Sequence, residues 1–114
     1  ILHNGAGCDP LALLPLDALK MATRDGGVAL GRKTGVIQAG YEADLILVDF
    51  SHLNLTPCHS VISNLAYAAH GSDVCMNMAR GKVIYKDGDF LTIDLERVRR
   101  EVADYALPLL FQNN

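Results

Sequence analysis

The run Leu45–Val48 constrains the fold of this chain more than any other segment. Four consecutive apolar residues, two of them β-branched, stand between Asp44 and Asp49. A short apolar run of this kind is typical of a β-strand with both faces covered. The sequence therefore predicts a buried strand at 45–48, which we expect to be the strand best protected against amide exchange. Asp44 is also placed to tie a loop through its carboxylate.

Patterns typical of helices lie on both sides of this strand. Pro15 suits the first turn of a helix over about 15–23, because the N–H that proline lacks would be unpaired there in any case. Thr23 is placed to cap a second helix, and Gly31 is placed to end it. The sequence therefore predicts two consecutive helices before residue 32.

Two further helices are predicted later in the chain. Ser60 is placed to cap a helix through about residue 69, with Gly71 as its terminator. Asp94 is placed to cap a last helix, in which apolar residues recur at helical spacing until Pro108 ends it. Between these two helices lies a segment with the pattern of strands.

Short strands separated by glycine turns fill the rest of the chain. Gly35 and Gly40 enclose a predicted short strand, and a meander follows after residue 73. Its strands are expected at 74–79, 82–85 and 90–91, with turns at Arg80-Gly81 and Asp87-Gly88. The order is two helices, two strands, one helix, three strands and one helix, which predicts the α+β class.

Composition excludes several classes of function. The chain has 114 residues, a net charge of −3 and a pI near 5.7, so no basic excess indicates nucleic acid as a partner. No apolar run approaches the ~20 residues that a membrane-spanning helix needs. Cys8, Cys58 and Cys75 are scattered and odd in number, which favours buried or half-buried free thiols and a reducing, cytoplasmic setting. Ile1 rather than Met opens the chain, so we expect these residues to belong to a longer polypeptide.

The four histidines are the first candidates for a catalytic or metal-binding role. His52 and His59 lie on either side of a loop and, with Asp49, are candidate ligands of a metal. The alternative, which we favour, is a pair of solvated loop histidines. His70 stands at the end of a predicted helix, where the helix dipole favours a protonated imidazole, so we expect capping rather than a substrate contact. His3 completes the set, and no two of the four form a His-x-His pair.

Three other groups of residues are weaker candidates for a site. The cations Lys82, Arg97, Arg99 and Arg100 are interleaved with Asp94, Glu96 and Glu101, so we expect a solvated helix face and not a binding patch. A hydroxyl nucleophile needs a base, and no His-plus-acid partner is evident for Ser60, Ser63 or Ser72. The glycine pairs Gly5-x-Gly7 and Gly26-Gly27 match neither phosphate-binding pattern. The sequence therefore predicts no catalytic, cofactor-binding or metal-binding residue within the chain.

Four motifs follow one another in a fixed order. The first is Met21-Ala22-Thr23 with Gly27-x-Ala29-Leu30-Gly31, and the second is Gly35-x-Ile37-x-x-Gly40-x-x-Ala43-Asp44-Leu45-Ile46. The third is Leu55-Thr56-Pro57 with Asn64-Leu65-x-Tyr67-Ala68-Ala69, and the fourth is Gly71-Ser72-Asp73-Val74 with Arg80-Gly81-Lys82-Val83 and Asp87-Gly88. From about residue 9 to about residue 102, the chain resembles the C-terminal end of the amidohydrolase superfamily. The resemblance is to the branch of chlorohydrolases and aminohydrolases that includes methylthioadenosine/S-adenosylhomocysteine deaminases.

This resemblance implies a fold and a chemistry for a longer parent enzyme. Residues 1–32 would be the terminal helices of its (β/α) barrel, 33–93 part of a small composite β-sandwich domain with a helix inserted at about 60–70, and 94–114 a C-terminal helix and tail. The parent would use a divalent metal, zinc or iron, to activate water. It would hydrolyse C–N bonds other than peptide bonds, in an adenosine-like nucleoside or a related heterocycle. The metal ligands of the family lie upstream of these residues, so we expect this segment to be an inactive scaffold that binds no catalytic metal.

Two hypotheses remain open at this point. The first is the scaffold segment, whose partners are the rest of the parent chain and, for the parent only, a small-molecule substrate. The second is a free-standing α+β binding or interaction module. Under the first, strand edges and the helices at 15–30 lack their covering, so Leu16, Leu19 and Val28 are expected to be exposed. Such surfaces favour self-association, so we also expect a homo-oligomer.

Overall fold

The N-terminal helical segment is continuous rather than divided into two helices. The computed structural model describes residues 7, 9 and 11–111 of the chain. In it, α1 (Pro15–Lys20) runs through a π-helical turn (Met21–Asp25) into α2 (Gly26–Ala29). Pro15 occupies the first turn, as predicted.

The prediction that Thr23 caps a second helix is wrong. Its Oγ1 donates a hydrogen bond to the carbonyl oxygen of Leu19 at 2.6 Å, so the hydroxyl bonds back along the helix instead of starting a new one. Gly31 has a φ of 65° and follows the helix end, as predicted.

The segment 35–40 is a loop, and the prediction of a strand there is wrong. Gly35 has a φ of 76°, and a Cβ atom at this position would stand 2.3 Å from the carbonyl oxygen of Thr23. A Cβ atom at Gly27 would likewise stand 2.6 Å from the carbonyl oxygen of Thr34. Because neither glycine has a Cβ atom, the loop backbone can contact the helix backbone closely at these two positions. This contact keeps the loop from the extended conformation of a strand.

Four antiparallel strands form one sheet in the order β1-β2-β3-β4. They are β1 (Leu45–Val48), β2 (Val74–Ala79), β3 (Lys82–Lys86) and β4 (Asp89–Phe90). The predicted strand β1 is present, but it lies at the edge of the sheet, and Ile46 and Leu47 are about half exposed. The prediction that both its faces are buried is wrong, because an apolar run specifies a strand but not the layers that cover it.

The predicted meander is confirmed, together with its turns. Arg80 and Gly81 have φ values of 48° and 78°, and Asp87 and Gly88 have φ values of 48° and 100°. Two central residues with positive φ match the right-handed twist of the strands that a two-residue hairpin joins. The two hairpin turns of the sheet are therefore set by short-range signals in the sequence.

The connection from β1 to β2 carries a helix. A connector (residues 49–60) with a 3₁₀ turn at Leu53–Leu55 leads from β1 to α3 (Val61–Tyr67), and α3 packs against α1. Ser60 caps α3 as predicted, since its Oγ accepts a hydrogen bond from the backbone N–H of Ser63 at 3.2 Å. The prediction that Gly71 ends α3 is wrong. Gly71 begins a second 3₁₀ turn (Gly71–Asp73), which leads into β2.

The C-terminal helix runs further than predicted. It comprises α4 (Leu95–Glu101), a π-helical turn (Val102–Ala106) and α5 (Leu107–Phe111). Asp94 caps it as predicted, with Oδ1 accepting from the backbone N–H of Arg97 at 2.9 Å. The prediction that Pro108 ends the helix is wrong. Pro108 is the second residue of α5, and the helix continues past it to Phe111.

The arrangement is α+β, as predicted, and it is open. Among the residues that the structure describes, the fully buried side chains are Leu55 and Asp73. The accessible surface is 8945 Å², whereas a compact monomer of this mass exposes ~6,100 Å². Leu16 and Val28 are exposed, as expected, while Leu19 is half-buried. The boundaries at 32 and 93 stay predictions, and none of the described helices is long and apolar enough to cross a membrane.

Candidate functional site

The residues predicted as candidates for a site do not converge on one place. His52 and Asp49 both lie in the connector, with His52 Nε2 3.9 Å from Asp49 Oδ2. His59 is exposed further along the connector, and in the described part of the chain it forms an ion pair with neither of them. His3 and Cys8 lie outside the described residues.

The polar centre of the structure is Asp73, in the 3₁₀ turn before β2. Its carboxylate is 2 % exposed, yet both oxygens have partners. Oδ1 lies 2.6 Å from Nδ1 of His52. Oδ2 accepts from Nδ2 of Asn54 and from the backbone N–H of His70, each at 2.7 Å. The cost of burying this charge is thus offset by three hydrogen bonds.

These contacts shift the pKa values of the groups involved. The hydrogen bond from His52, followed by those from His70 and Asn54, lowers the pKa of Asp73 to about 2. The same contact raises the pKa of His52, with further support from the negative charges of Asp73 and Asp49. The pKa of Asp49 is lowered mainly by the backbone N–H of Ser51, which donates to Oδ1 at 2.9 Å. The carboxylates of Asp73 and Asp49 therefore both favour the protonated form of His52.

The Asp73 cluster fastens three segments of the chain together. The backbone carbonyl of Asp73 accepts from the N–H of Asp49 at 2.8 Å, next to the end of β1. Asn54 donates a second bond, to the carbonyl oxygen of Ala68 at 3.0 Å, where α3 ends. Nδ2 of Asn64 in α3 donates to the carbonyl oxygen of Leu55 at 2.7 Å. The connector, the end of α3 and the start of β2 are thus held as one unit, from which the His52 ring emerges, 44 % exposed.

A second polar cluster surrounds Asp44, and the prediction that this carboxylate ties a loop is confirmed. Oδ1 accepts from the backbone N–H of Arg80 in the β2–β3 turn at 2.7 Å. Oδ2 accepts from Oγ1 of Thr34 at 2.9 Å and from Nη2 of Arg32 at 3.2 Å, and Arg32 also bonds to Glu42. These bonds, with that from Arg80 the strongest, lower the pKa of Asp44. The cluster joins the 31–44 loop to the sheet.

The described residues do not fit a catalytic metal. A protein site for zinc or a similar cation takes three or more ligands from His, Cys, Asp and Glu. Within residues 11–111, no group of three such side chains is placed to hold a metal ion. His52 and Asp49 would supply two ligands, and the other ring nitrogen of His52 is occupied by Asp73.

Several smaller expectations have clear outcomes. Nη1 of Arg99 pairs with Glu96 at 2.7 Å, and Arg97 lies 3.8 Å from Glu101, so the expected solvated helix face is confirmed. The C-cap of α3 is Ala68, and His70 is instead the N-cap of the following 3₁₀ turn, so the expected role at the end of α3 is wrong. Cys75 is half-buried as expected, whereas Cys58 is exposed.

The role of Asp73 was not predicted from the sequence. The motif Gly71-Ser72-Asp73-Val74 contains it, and an acidic residue directly before an apolar strand is a weak signal for a buried carboxylate. Its partners His52 and Asn54 lie 21 and 19 residues away, so only the folded chain shows the cluster.

Comparison with known proteins identifies the family. The model of the amidohydrolase family matches residues 4–84, which is more than half of the chain. The chain belongs to the amidohydrolase family. A 5'-deoxyadenosine deaminase of Methanosarcina mazei is 39% identical over 114 residues, which is 100% of this chain and 26% of that protein. A 5-methylthioadenosine/S-adenosylhomocysteine deaminase of Pelotomaculum thermopropionicum is 42% identical over 111 residues, covering 96% of this chain and 26% of that protein.

Solved structures show that this amidohydrolase chain adopts a known arrangement. An adenosine deaminase from Xanthomonas campestris with bound zinc superposes with a TM-score of 0.86 at 29% identity, covering 94% of this chain and 25% of that one. The atrazine chlorohydrolase TrzN from Arthrobacter aurescens, complexed with zinc, superposes with a TM-score of 0.73 at 24% identity, covering 81% of this chain and 20% of that one. The chain thus spans about a quarter of the length of the curated relatives that it matches.

Proposed function

We propose that this amidohydrolase chain is the C-terminal scaffold segment of a metal-dependent deaminase that acts on an adenosine-like nucleoside. One observation carries the proposal: relatives named as deaminases match 96–100% of this chain, yet the chain spans only 26% of their length. The described residues hold no group of three metal ligands, which is consistent with a structural role for this segment. A match over the whole chain to such enzymes does not favour the alternative of a free-standing binding module.

The open surface supports packing against the rest of a parent chain. The accessible surface of 8945 Å² exceeds that of a compact monomer by ~2,800 Å². A standard interface between two proteins covers ~800 Å² on each partner. The excess of exposed surface is larger than this and corresponds to a contact of the size found in permanent assemblies. The partner that we propose is the remainder of the parent polypeptide. The small-molecule substrate would bind to the parent alone, in the cytoplasm, with no role for nucleic acid or a membrane.

The parent is proposed to need a divalent metal, either zinc or iron. Two of the solved relatives named above contain zinc, which supports a metal of this kind. Its ligands would lie outside the described residues. The metal would supply an activated water for the displacement of ammonia.

A homo-oligomer is also proposed for residues 1–114 on their own, where the rest of the parent does not cover these surfaces. β1 lies at the edge of the sheet, and an edge presents unpaired backbone groups to another chain. The apolar side chains of Leu16 and Val28 in the N-terminal helices are 45% and 72% exposed. Either surface would serve as a contact between two copies.

The experiment that tests the proposed function compares two polypeptides. The full natural polypeptide and a chain of residues 1–114 alone are supplied with zinc or iron and with adenosine, 5'-deoxyadenosine, 5-methylthioadenosine or S-adenosylhomocysteine. Ammonia release is measured for each. We expect turnover by the full polypeptide and none by residues 1–114. Turnover by the short chain would contradict the scaffold role, and inactivity of the full polypeptide on all four nucleosides would contradict the proposed substrate class.

A further inference from the structure

We propose that His52 and Asp73 form a proton-controlled latch that fastens the connector to the start of β2 and loosens it when His52 loses its proton. The two residues are 21 positions apart, and Nδ1 of His52 lies 2.6 Å from Oδ1 of Asp73. The latch is a property of the fold and does not depend on the proposed enzymatic role.

The geometry of the latch gives the two ring nitrogens of His52 different partners. Nδ1 faces the carboxylate of Asp73, which is 2 % exposed and is further fixed by Asn54 and the backbone of His70. Nε2 faces Oδ2 of Asp49 at 3.9 Å, next to the end of β1. A protonated imidazole donates a hydrogen bond to Asp73 through Nδ1, and its charge attracts Asp49 across the longer Nε2 contact, so it links the end of β1 to the start of β2.

The charged groups around His52 all favour its protonated form. Asp49 faces it from the connector beside β1, and Asp73 faces it from the turn before β2. In the described part of the chain, neither carboxylate forms an ion pair with a lysine or an arginine. The proton on His52 is therefore the positive charge nearest to both carboxylates.

Loss of this proton weakens one side of the bridge first. A neutral imidazole has a single N–H, and the buried carboxylate of Asp73 retains it at Nδ1. The lone pair of Nε2 then faces the carboxylate of Asp49, so the attraction on that side is lost. The bond from Nδ1 to Asp73 remains but is no longer charge-assisted, so the connector is held less firmly to the start of β2. Because the ring is 44 % exposed, solvent moderates the change, and we expect a local loosening of residues 49–55 rather than unfolding. The raised pKa of His52 places the transition above the ordinary histidine value.

The test measures amide exchange of the connector in the full natural polypeptide. Exchange of residues 50–55 is followed by NMR or mass spectrometry at about pH 5.5 and about pH 8.5, on either side of the ordinary histidine pKa, and is corrected for intrinsic rates. The protection factor is expected to fall several-fold as pH rises. His52→Gln should remove this pH dependence, whereas His59→Gln, a change at an exposed histidine of the same connector, should leave it intact. Asp49→Asn should reduce it while Asp73 remains in place.

Three results would overturn the latch. The first is a protection factor for residues 50–55 that is unchanged across this pH range in the unmodified protein. The second is an equal loss of pH dependence in His52→Gln and His59→Gln. The third is an imidazole resonance of His52 that titrates at or below the ordinary value. If His52→Gln fails to fold, the resonance and the Asp49→Asn variant decide the matter alone.

Discussion

The region around Asp73 and the C-terminal helix differ in what holds them in place. In the first, Leu55 and Asp73 are fully buried, and hydrogen bonds from three residues converge on one carboxylate. In the second, α4 and α5 make their main contacts with their own π-helical turn. Large apolar side chains there are 66–74% exposed, namely Tyr105, Leu109, Leu110 and Phe111.

The difference separates what this chain stabilises by itself from what it presents to another part of the protein. Buried, fully paired groups need no further partner. An exposed apolar face on a helix gains stability only when something covers it. The Asp73 region is thus the internal anchor of the scaffold, and the C-terminal helix is a surface that the rest of the parent is proposed to complete.

The largest effect is expected at Leu55, because its side chain is fully buried. Leu55→Ala should lower the free energy of unfolding by ~2–5 kcal/mol through lost apolar burial and a cavity. Leu53→Ala is the matched control in the same 3₁₀ turn, since Leu53 is 90% exposed, and its effect should stay within ~0.5 kcal/mol. Urea denaturation of the full polypeptide measures both. Equal effects would show that Leu55 is not the packing centre.

Asp73→Ala should have the second-largest effect on the stability of the protein. It leaves three donors without their acceptor, on His52, Asn54 and His70, and the first two belong to the connector. A clear drop in the thermal midpoint is expected. Asp104→Ala, in the exposed C-terminal helix, is the control and should leave the midpoint nearly unchanged. A larger loss from Asp104→Ala would reverse the comparison between the two regions.

The pH dependence of stability should show two windows. The pKa of Asp73 is lowered to about 2, so the stability it contributes is present above its unfolded value of 3.8 and is lost as pH falls toward 2. The pKa of His52 is raised, so its contribution is present below its unfolded value of 6.5 and is lost as pH rises through the folded value. Urea midpoints measured across both windows should vary less in Asp73→Ala than in the unmodified protein. An unchanged profile in the variant would contradict the assignment.

The smallest effects are expected from the two helix caps. Ser60→Ala and Asp94→Ala each remove a side-chain acceptor for a backbone N–H, worth ~1 kcal/mol. Ser60 begins a helix that packs on α1, so its loss should lower global stability. Asp94→Ala should instead speed amide exchange locally in the first turn of α4. The opposite result is that Asp94→Ala lowers the global stability more than Ser60→Ala does. That result would show that the C-terminal helix is better anchored than α3.

Features set within a few residues were predictable from the sequence. The caps at Ser60 and Asp94 and the turns at Arg80-Gly81 and Asp87-Gly88 depend on neighbours two or three positions away, and all four are confirmed. The family resemblance added the superfamily and the deaminase branch, which the relatives bear out.

Features that depend on distant segments were not predictable in the same way. The run Leu45–Val48 specifies a strand, but its position at the edge depends on which strands pair with it. The loop at 35–40 is bent by contact with the helix at Thr23, a contact that local propensity does not contain. Asp73 needed its partners His52 and Asn54 to be brought together by the fold.

We propose that this chain supplies structure and not metal ligands, and the metal content of the whole protein tests this proposal. In the full natural polypeptide, all four histidines are replaced together: His3→Gln, His52→Gln, His59→Gln and His70→Gln. Folded protein is isolated by size exclusion, and zinc and iron per chain are measured by plasma mass spectrometry. We expect the same metal content as in the unmodified protein. Loss of the metal from the folded variant would contradict it.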